Sequence, residues 1–202
     1  MATLPNTIIK NTSKFINGKN AREKWGKKID PTGLLSMSDY NKQCNNVFIK
    51  AAEIILDDSK RQTVIQVNPT DTEWNENKEK IYTIVKDDKV IKIGGTRNGM
   101  KSRFSSYLCG HHVIERGKSG KMSVTNAHLY HSIEKDLLDT ESKWEFYTWE
   151  LPITSLQVTI LGKDTMIAAQ TYHAYESRCI EKYKLITGRI PILCDNSDPD
   201  YK

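Results

Sequence analysis

Apolar and polar residues alternate most regularly over residues 81–94, and that alternation predicts a β-hairpin running into a short helix. Ile81, Thr83 and Val85, then Ile91 and Ile93, take the odd positions; Tyr82, Ile84, Val90, Lys92 and Gly94 take the even ones. Side chains of a strand point to alternate faces, so each parity set lines one face. A three-residue connection at Asp87-Asp88-Lys89, or its equivalent, brings the odd sets onto one face and sets Tyr82 beside Lys92 on the other. A two-residue loop would mix the sets and place isoleucines beside the lysine.

Helical spacing follows in residues 99–108, where Met100, Phe104 and Leu108 face a core. Arg103 and Tyr107 lie four apart and share a side of that helix. Earlier in the chain, Val47, Phe48, Ala51, Ala52 and Ile55 predict a helix over residues 45–56, stopped by Asp57-Asp58-Ser59. Residues 1–42 are poor in periodic structure, residues 62–67 suggest a short strand, and residues 68–80 read as a polar linker containing Pro69. Beyond the hairpin, residues 111–126 read as a basic loop or irregular insertion, and residues 127–138 as a helix. Strands are expected at 144–151 and 156–161, and a last helix over 165–185, ended by Gly188 and Pro191. The composition shift at the linker divides the chain into an N-terminal extension, residues 1–77, and a core, residues 78–202. The fold class expected is α+β: a small antiparallel or mixed sheet flanked by helices, with an insertion at about residues 109–143.

Composition narrows this further. A chain of 202 residues can build one sizeable core, and 38% hydrophobic with 27% charged residues is polar for a globular protein. Four tryptophans and nine tyrosines argue against disorder. No stretch approaches the roughly 18 apolar residues of a membrane span. The first residues lack a charged region followed by a long apolar one, so a cytoplasmic location is expected. Cys44, Cys109, Cys179 and Cys194 form no C-x-x-C and read as free buried thiols. The net charge of +5 permits a polyanionic partner without demanding one. Lys10, Lys14, Lys19, Arg22, Lys24, Lys27 and Lys28 are interleaved with Phe15 and Trp25. They read equally as an arm that follows a phosphate backbone or as an ordinary solvated basic segment.

Among residues that could carry chemistry, Glu176 stands out. Tyr172, Ile180 and Tyr183 lie at i−4, i+4 and i+7, so its carboxylate sits on an apolar and aromatic stripe. Such a carboxylate needs a cation or a metal; an ion pair with Arg103 or Lys92 would also serve. His111, His112, His128 and His131, with Cys109, match no structural zinc spacing, and satisfied or solvated histidines are the plainer reading. Gly94-Gly95 is not followed by the rest of a phosphate loop, and no G-x-S-x-G elbow is present.

Tyr82 within IYTI, then KIGGT, then an arginine in the next helix and a glutamate in a late one, resembles the GIY-YIG nuclease superfamily. Tyr82 stands at the first motif tyrosine and Ile93-Gly94 at the end of the second motif, with Arg103 at the arginine and Glu176 at the glutamate. Asn196 is a loose match to the final asparagine. Lys80 replaces the glycine of the first motif, and Lys92 replaces the second tyrosine. A lysine there, with Tyr107 four residues after the arginine, is similar to the restriction-endonuclease branch.

The resemblance implies a site-specific type II endonuclease acting on double-stranded DNA. Tyr82 would be the general base, with Lys92 lowering its pKa or orienting the water. Arg103 would bind the scissile phosphate, Tyr107 would position it, and Glu176 would hold one Mg²⁺, or another divalent ion such as Mn²⁺. A homodimer acting on a palindromic target and a DNA methyltransferase encoded nearby are also implied. The alternatives are a homing or repair nuclease of the same superfamily and a noncatalytic basic DNA- or RNA-binding module.

Overall fold

The computed structural model describes residues 6–70, 72–112 and 124–194. Four short helices come first: α1 (Asn6–Lys10), α2 (Ser13–Asn17), α3 (Lys19–Trp25) and α4 (Met37–Gln43). Strands β1 (Ile49–Leu56) and β2 (Ile65–Pro69), a 3₁₀ turn at Thr72–Asn75, and strands β3 (Lys80–Lys86) and β4 (Lys89–Thr96) follow. Then come α5 (Gly99–Leu108), α6 (Val124–Asp139), β5 (Trp144–Glu150), β6 (Thr154–Ile160), β7 (Lys163–Ala169) and α7 (Tyr172–Thr187).

Five strands form one antiparallel sheet in the order β2-β1-β5-β3-β4, so β4 is an edge. Its two faces are both covered. Tyr82, Ile84 and Phe146 pack with Met100 and Phe104 of α5 and Leu129 and Ile133 of α6. Ile81, Val85, Val90 and Ile93 pack on the other side with Tyr40 of α4 and Cys179 and Tyr183 of α7. The α+β architecture expected from the sequence is the one observed, with a sheet that is antiparallel throughout.

The β3–β4 parity holds, but by a different device from a three-residue loop. Asp87 and Asp88 form a two-residue turn, both at positive φ (48° and 62°), as the tightest hairpins require. Val85 then pairs with Val90, and the register shifts so that Ile84 lies opposite Lys92. Ile91 is the extra residue of a bulge, which restores the alternation a longer loop would have given. Val90 and Ile91 therefore exchange faces relative to the simple odd–even assignment: Val90 packs with Ile81, and Ile91 with Tyr82.

Three expected elements are different. Residues 49–56 form a strand rather than part of a helix. Asn45 and Asn46 take left-handed conformations (φ 59° and 56°), which asparagine tolerates, and the Asn41 side-chain amide bonds both Phe48 N–H and C=O at 2.9 Å. The chain is thereby launched as a strand whose Ala52, Ile54 and Leu56 point inward. Residues 165–169 belong to β7, because Leu161 and Gly162, both at positive φ, fold the chain back into a second hairpin. Residues 6–43 are largely helical where little periodic structure was expected, since helices of five to seven residues are too short to show a period.

The stretch expected as a linker, residues 68–80, contains the end of β2 and the 3₁₀ turn that buries Trp74. Strands β1 and β2 thus join the same sheet as β3–β5, on both sides of the division drawn at residue 77. Of the expected insertion, α6 is described and residues 113–123 lie outside the described residues. Cys179 and Cys194 are buried and outside any disulfide, whereas Cys44 is half-buried and Cys109 is exposed. No helix of the described residues is long and apolar enough to cross a membrane.

Candidate active site

Tyr82, fully buried on β3, is the centre of the site. Its cross-strand partner is Gly94, where any Cβ would overlap the Tyr82 hydroxyl, so glycine is needed for the phenol to lie across the edge strand. The turn from β4 into α5 is fixed by Thr96, whose Oγ1 donates to the Gly99 carbonyl (3.2 Å) and accepts from the Asn98 N–H (3.3 Å). That turn aims Arg103 and Tyr107 back at the strand. Arg103 Nε donates to the Tyr82 hydroxyl at 2.9 Å, and the Tyr82 and Tyr107 hydroxyls are hydrogen bonded. The guanidinium carbon lies 4.6 Å from the centre of the Tyr107 ring, a cation–π contact that holds the arginine in place.

Lys92 shares the Tyr82 face but stands opposite Ile84, one step along from Gly94. Its ammonium donates to the Leu193 carbonyl at 2.7 Å. The C-terminal segment runs along the outside of β4 here: Leu193 N–H donates to Ile91 C=O (3.0 Å), and Ile93 N–H donates to Cys194 Sγ (3.3 Å). The segment covers the sheet edge at residues 91–93 and leads to Asn196, which lies outside the described residues.

Glu176 reaches the same edge from the other face. A Cβ at Gly95 would stand 3.0 Å from Glu176 Oε2 and 2.6 Å from Tyr172 Cδ2, so α7 approaches β4 as closely as a glycine permits. Consecutive strand residues point to opposite faces. The Tyr82 hydroxyl and the Glu176 carboxylate therefore flank Gly94 and Gly95 from either side of the edge. The stripe around Glu176 is as read from the sequence, with Tyr183 buried and Tyr172 and Ile180 half-buried. Neither ion pair considered for it forms, since Arg103 bonds Tyr82 and Lys92 bonds Leu193. Among the described residues no cation pairs with this carboxylate.

The electrostatics favour neutral phenols. Burial pushes the Tyr82 hydroxyl well above its ordinary value, and the neighbouring Tyr107 adds to this. Arg103 and Lys92 both pull it down, but by less than burial pushes it up. Tyr107 is also raised by burial, with Arg103 opposing. No cluster of three or more histidine, cysteine or acidic side chains suited to a metal occurs among the described residues. His128 and His131 are engaged by the Trp25 carbonyl (2.8 Å) and Glu134 (3.0 Å). A lone half-exposed carboxylate fits a hard divalent cation that keeps most of its waters, and it does not fit a zinc site.

The geometry thus brings together Tyr82, Tyr107 and Arg103 by direct contact, and Glu176 and Lys92 at the same strand edge. Sequence reasoning missed two participants. Gly95 has no role in the sequence pattern beyond failing to begin a phosphate loop, although the glycine pair could have marked a thin place in the sheet. The Leu193 carbonyl carries no side-chain signal at all.

The chain is similar to a solved structure described as restriction endonuclease HPY188I in complex with product DNA, at 23% identity and a TM-score of 0.54, covering 86% of this chain and 94% of that one. It also matches the structure of a mutant of bacteriophage T4 EndoII at 22% identity and a TM-score of 0.47, covering 73% of this chain and 94% of that one. No family model and no curated protein matches the chain.

Proposed function

We propose that this protein is a divalent-metal-dependent endonuclease of the GIY-YIG type that cleaves double-stranded DNA at specific sites, in the manner of a type II restriction enzyme. The observation that carries this is the joint approach of Tyr82, Tyr107 and Arg103 from one face, and of Glu176 from the other, to Gly94–Gly95 on an edge strand. The fold shared with a restriction endonuclease that was solved with product DNA supports it.

Phosphodiester hydrolysis needs an activated water, stabilisation of charge on the phosphoryl oxygens and help for the departing 3′ oxygen. Arg103 caps the Tyr82 hydroxyl in the free protein. A phosphate docking at this edge draws the guanidinium toward its oxygens and leaves the hydroxyl open to water. Tyr82, in the fraction that has lost its own proton to solvent, then takes the proton of that water as general base. Tyr107, bonded to the same hydroxyl, keeps Tyr82 and the guanidinium aligned. Lys92, anchored on Leu193, supplies positive charge on the same face and favours the phenolate as it forms. Glu176 would hold one Mg²⁺ or Mn²⁺, which when bound stabilises negative charge on phosphate and leaving oxygens.

The test is digestion of plasmid and phage DNA with and without Mg²⁺, with Glu176→Ala and Arg103→Ala as comparisons. Discrete fragments from the wild type alone are expected, with at least roughly a hundredfold loss in each variant, on the order of one removed charge-stabilising contact. Undiminished cutting by Glu176→Ala would remove the metal assignment. DNA binding with no cleavage under any metal would leave a binding module in its place.

A further inference from the structure

On the side of α5 turned away from Tyr82 lies a groove of about 570 Å³ that the proposed chemistry does not use. Its floor is apolar, formed by Trp74, Phe104 and Leu108, and its rim carries Lys60, Arg61 and Lys101. No acidic residue lines it. The three rim cations are exposed, and among the described residues none of them pairs with a carboxylate. Lys42, Lys50, Lys78, Lys143 and Arg178, by contrast, each hold an acid. Three unpaired cations gather here on one acid-free strip.

The loop bearing two of those cations is built rather than loose. Lys14, one of the basic residues near the N-terminus, turns its ammonium inward and donates to the Asp58 and Lys60 carbonyls, and at 3.4 Å to that of Thr63. One charge is thus used to gather the backbone of residues 58–63, and the side chains of Lys60 and Arg61 are left facing out. On α5, Lys101 lies two residues from Arg103, about 200° around the helix. The same helix therefore presents Arg103 to the active site and Lys101 to the groove.

We infer that this groove binds the sugar–phosphate backbone of the DNA flanking the scissile bond, with Lys60, Arg61 and Lys101 as phosphate contacts. The inference rests on the proposed nuclease function and extends it to a second contact track. The spacing is suitable. A helix with its side chains is about 10–12 Å across, and one strand of a duplex advances about 3.4 Å per phosphate along the axis. The groove therefore meets the backbone roughly three nucleotides from the phosphate at Arg103. Charge decides the occupant: an acid-free, triply cationic rim suits a polyanion and repels a basic one.

The experiment is the salt dependence of binding of the full chain to a random-sequence duplex of about 30 base pairs, in chelator so that nothing is cut. Each phosphate neutralised contributes close to one unit to the slope of log K against log salt. The Lys60→Gln/Arg61→Gln/Lys101→Gln variant is expected to lose about two to three units of slope. A variant with the same charge change on the opposite face of the sheet, Lys42→Gln/Lys182→Gln/Lys184→Gln, is expected to lose under one. Equal slopes for wild type and the groove variant, or equal losses in the two variants, overturn the groove as a contact track while leaving the nuclease reading intact. A wild-type protein that binds no duplex overturns both.

Discussion

At the scale of single residues, the resting state of Tyr82 sets a condition on catalysis. A free phenol near pKa ~10 is ionised about one part in a thousand at neutral pH, and burial has pushed this one higher. If Tyr82 removes a proton from water, the active form is the phenolate, whose fraction rises tenfold per pH unit below its pKa. Log kcat/KM should therefore climb with slope near one from about pH 7 to 9 under saturating Mg²⁺. Tyr82→Phe should lose roughly 10²–10⁴ in rate and the slope with it. A flat wild-type profile over this range would take the base role away from Tyr82. Parity along two strands was enough to set Tyr82, Lys92 and Gly94 on one face, because a period of two survives a bulge if the extra residue is absorbed near the turn. The anchor of Lys92 was not legible, since its partner is a backbone carbonyl 101 residues away.

At the scale of elements, helices α3 and α6 are tied by buried charge. Arg22 Nη1 donates to Glu134 Oε1 at 3.2 Å, its Nη2 donates to the Phe15 carbonyl, and Phe15 stacks 3.7 Å from the guanidinium carbon. Glu134 also accepts from His131 Nδ1 at 3.0 Å. Arg22, one of the residues that composition offered as part of a basic arm, is only 5% exposed. Removing one partner of a buried pair leaves the other desolvated and unpaired. Glu134→Ala should thus cost about 3–5 kcal/mol in urea unfolding, and Arg22→Met/Glu134→Leu should recover much of it. A loss under about 1 kcal/mol in the single variant would show that water reaches the pair. Elements of this kind hide from sequence: helices of five to seven residues show less than two full periods, and a cation is counted as surface charge until its partner is known. The misassigned stretches have the same origin. The apolar run at 47–56 fits helix or strand, and only the left-handed pair Asn45-Asn46 decides between them. Gly99–Leu108 was readable to its ends because its apolar positions hold one period for almost three turns.

At the scale of the whole molecule, the proposed function sets one candidate edge against a substrate with two strands. The sheet is closed by helices on both faces, and the candidate site occupies one end of one edge strand, so among the described residues each chain offers one candidate site for a scissile phosphate. A monomer would nick one strand, dissociate or turn, and nick the other. A twofold dimer presents two such edges at once and matches a palindromic target. The two cases separate on supercoiled plasmid with a single site. A dimer should yield linear product with little open-circle intermediate, at an initial rate that falls with the square of protein concentration below its dissociation constant. Sedimentation under the same conditions should give twice the 23.1 kDa chain mass. Accumulating open circles, a rate linear in protein, and a single-chain mass would together make the enzyme a monomer that cuts the strands in turn. The basic groove would then have a larger share in orienting the duplex, because no partner subunit would hold its other side.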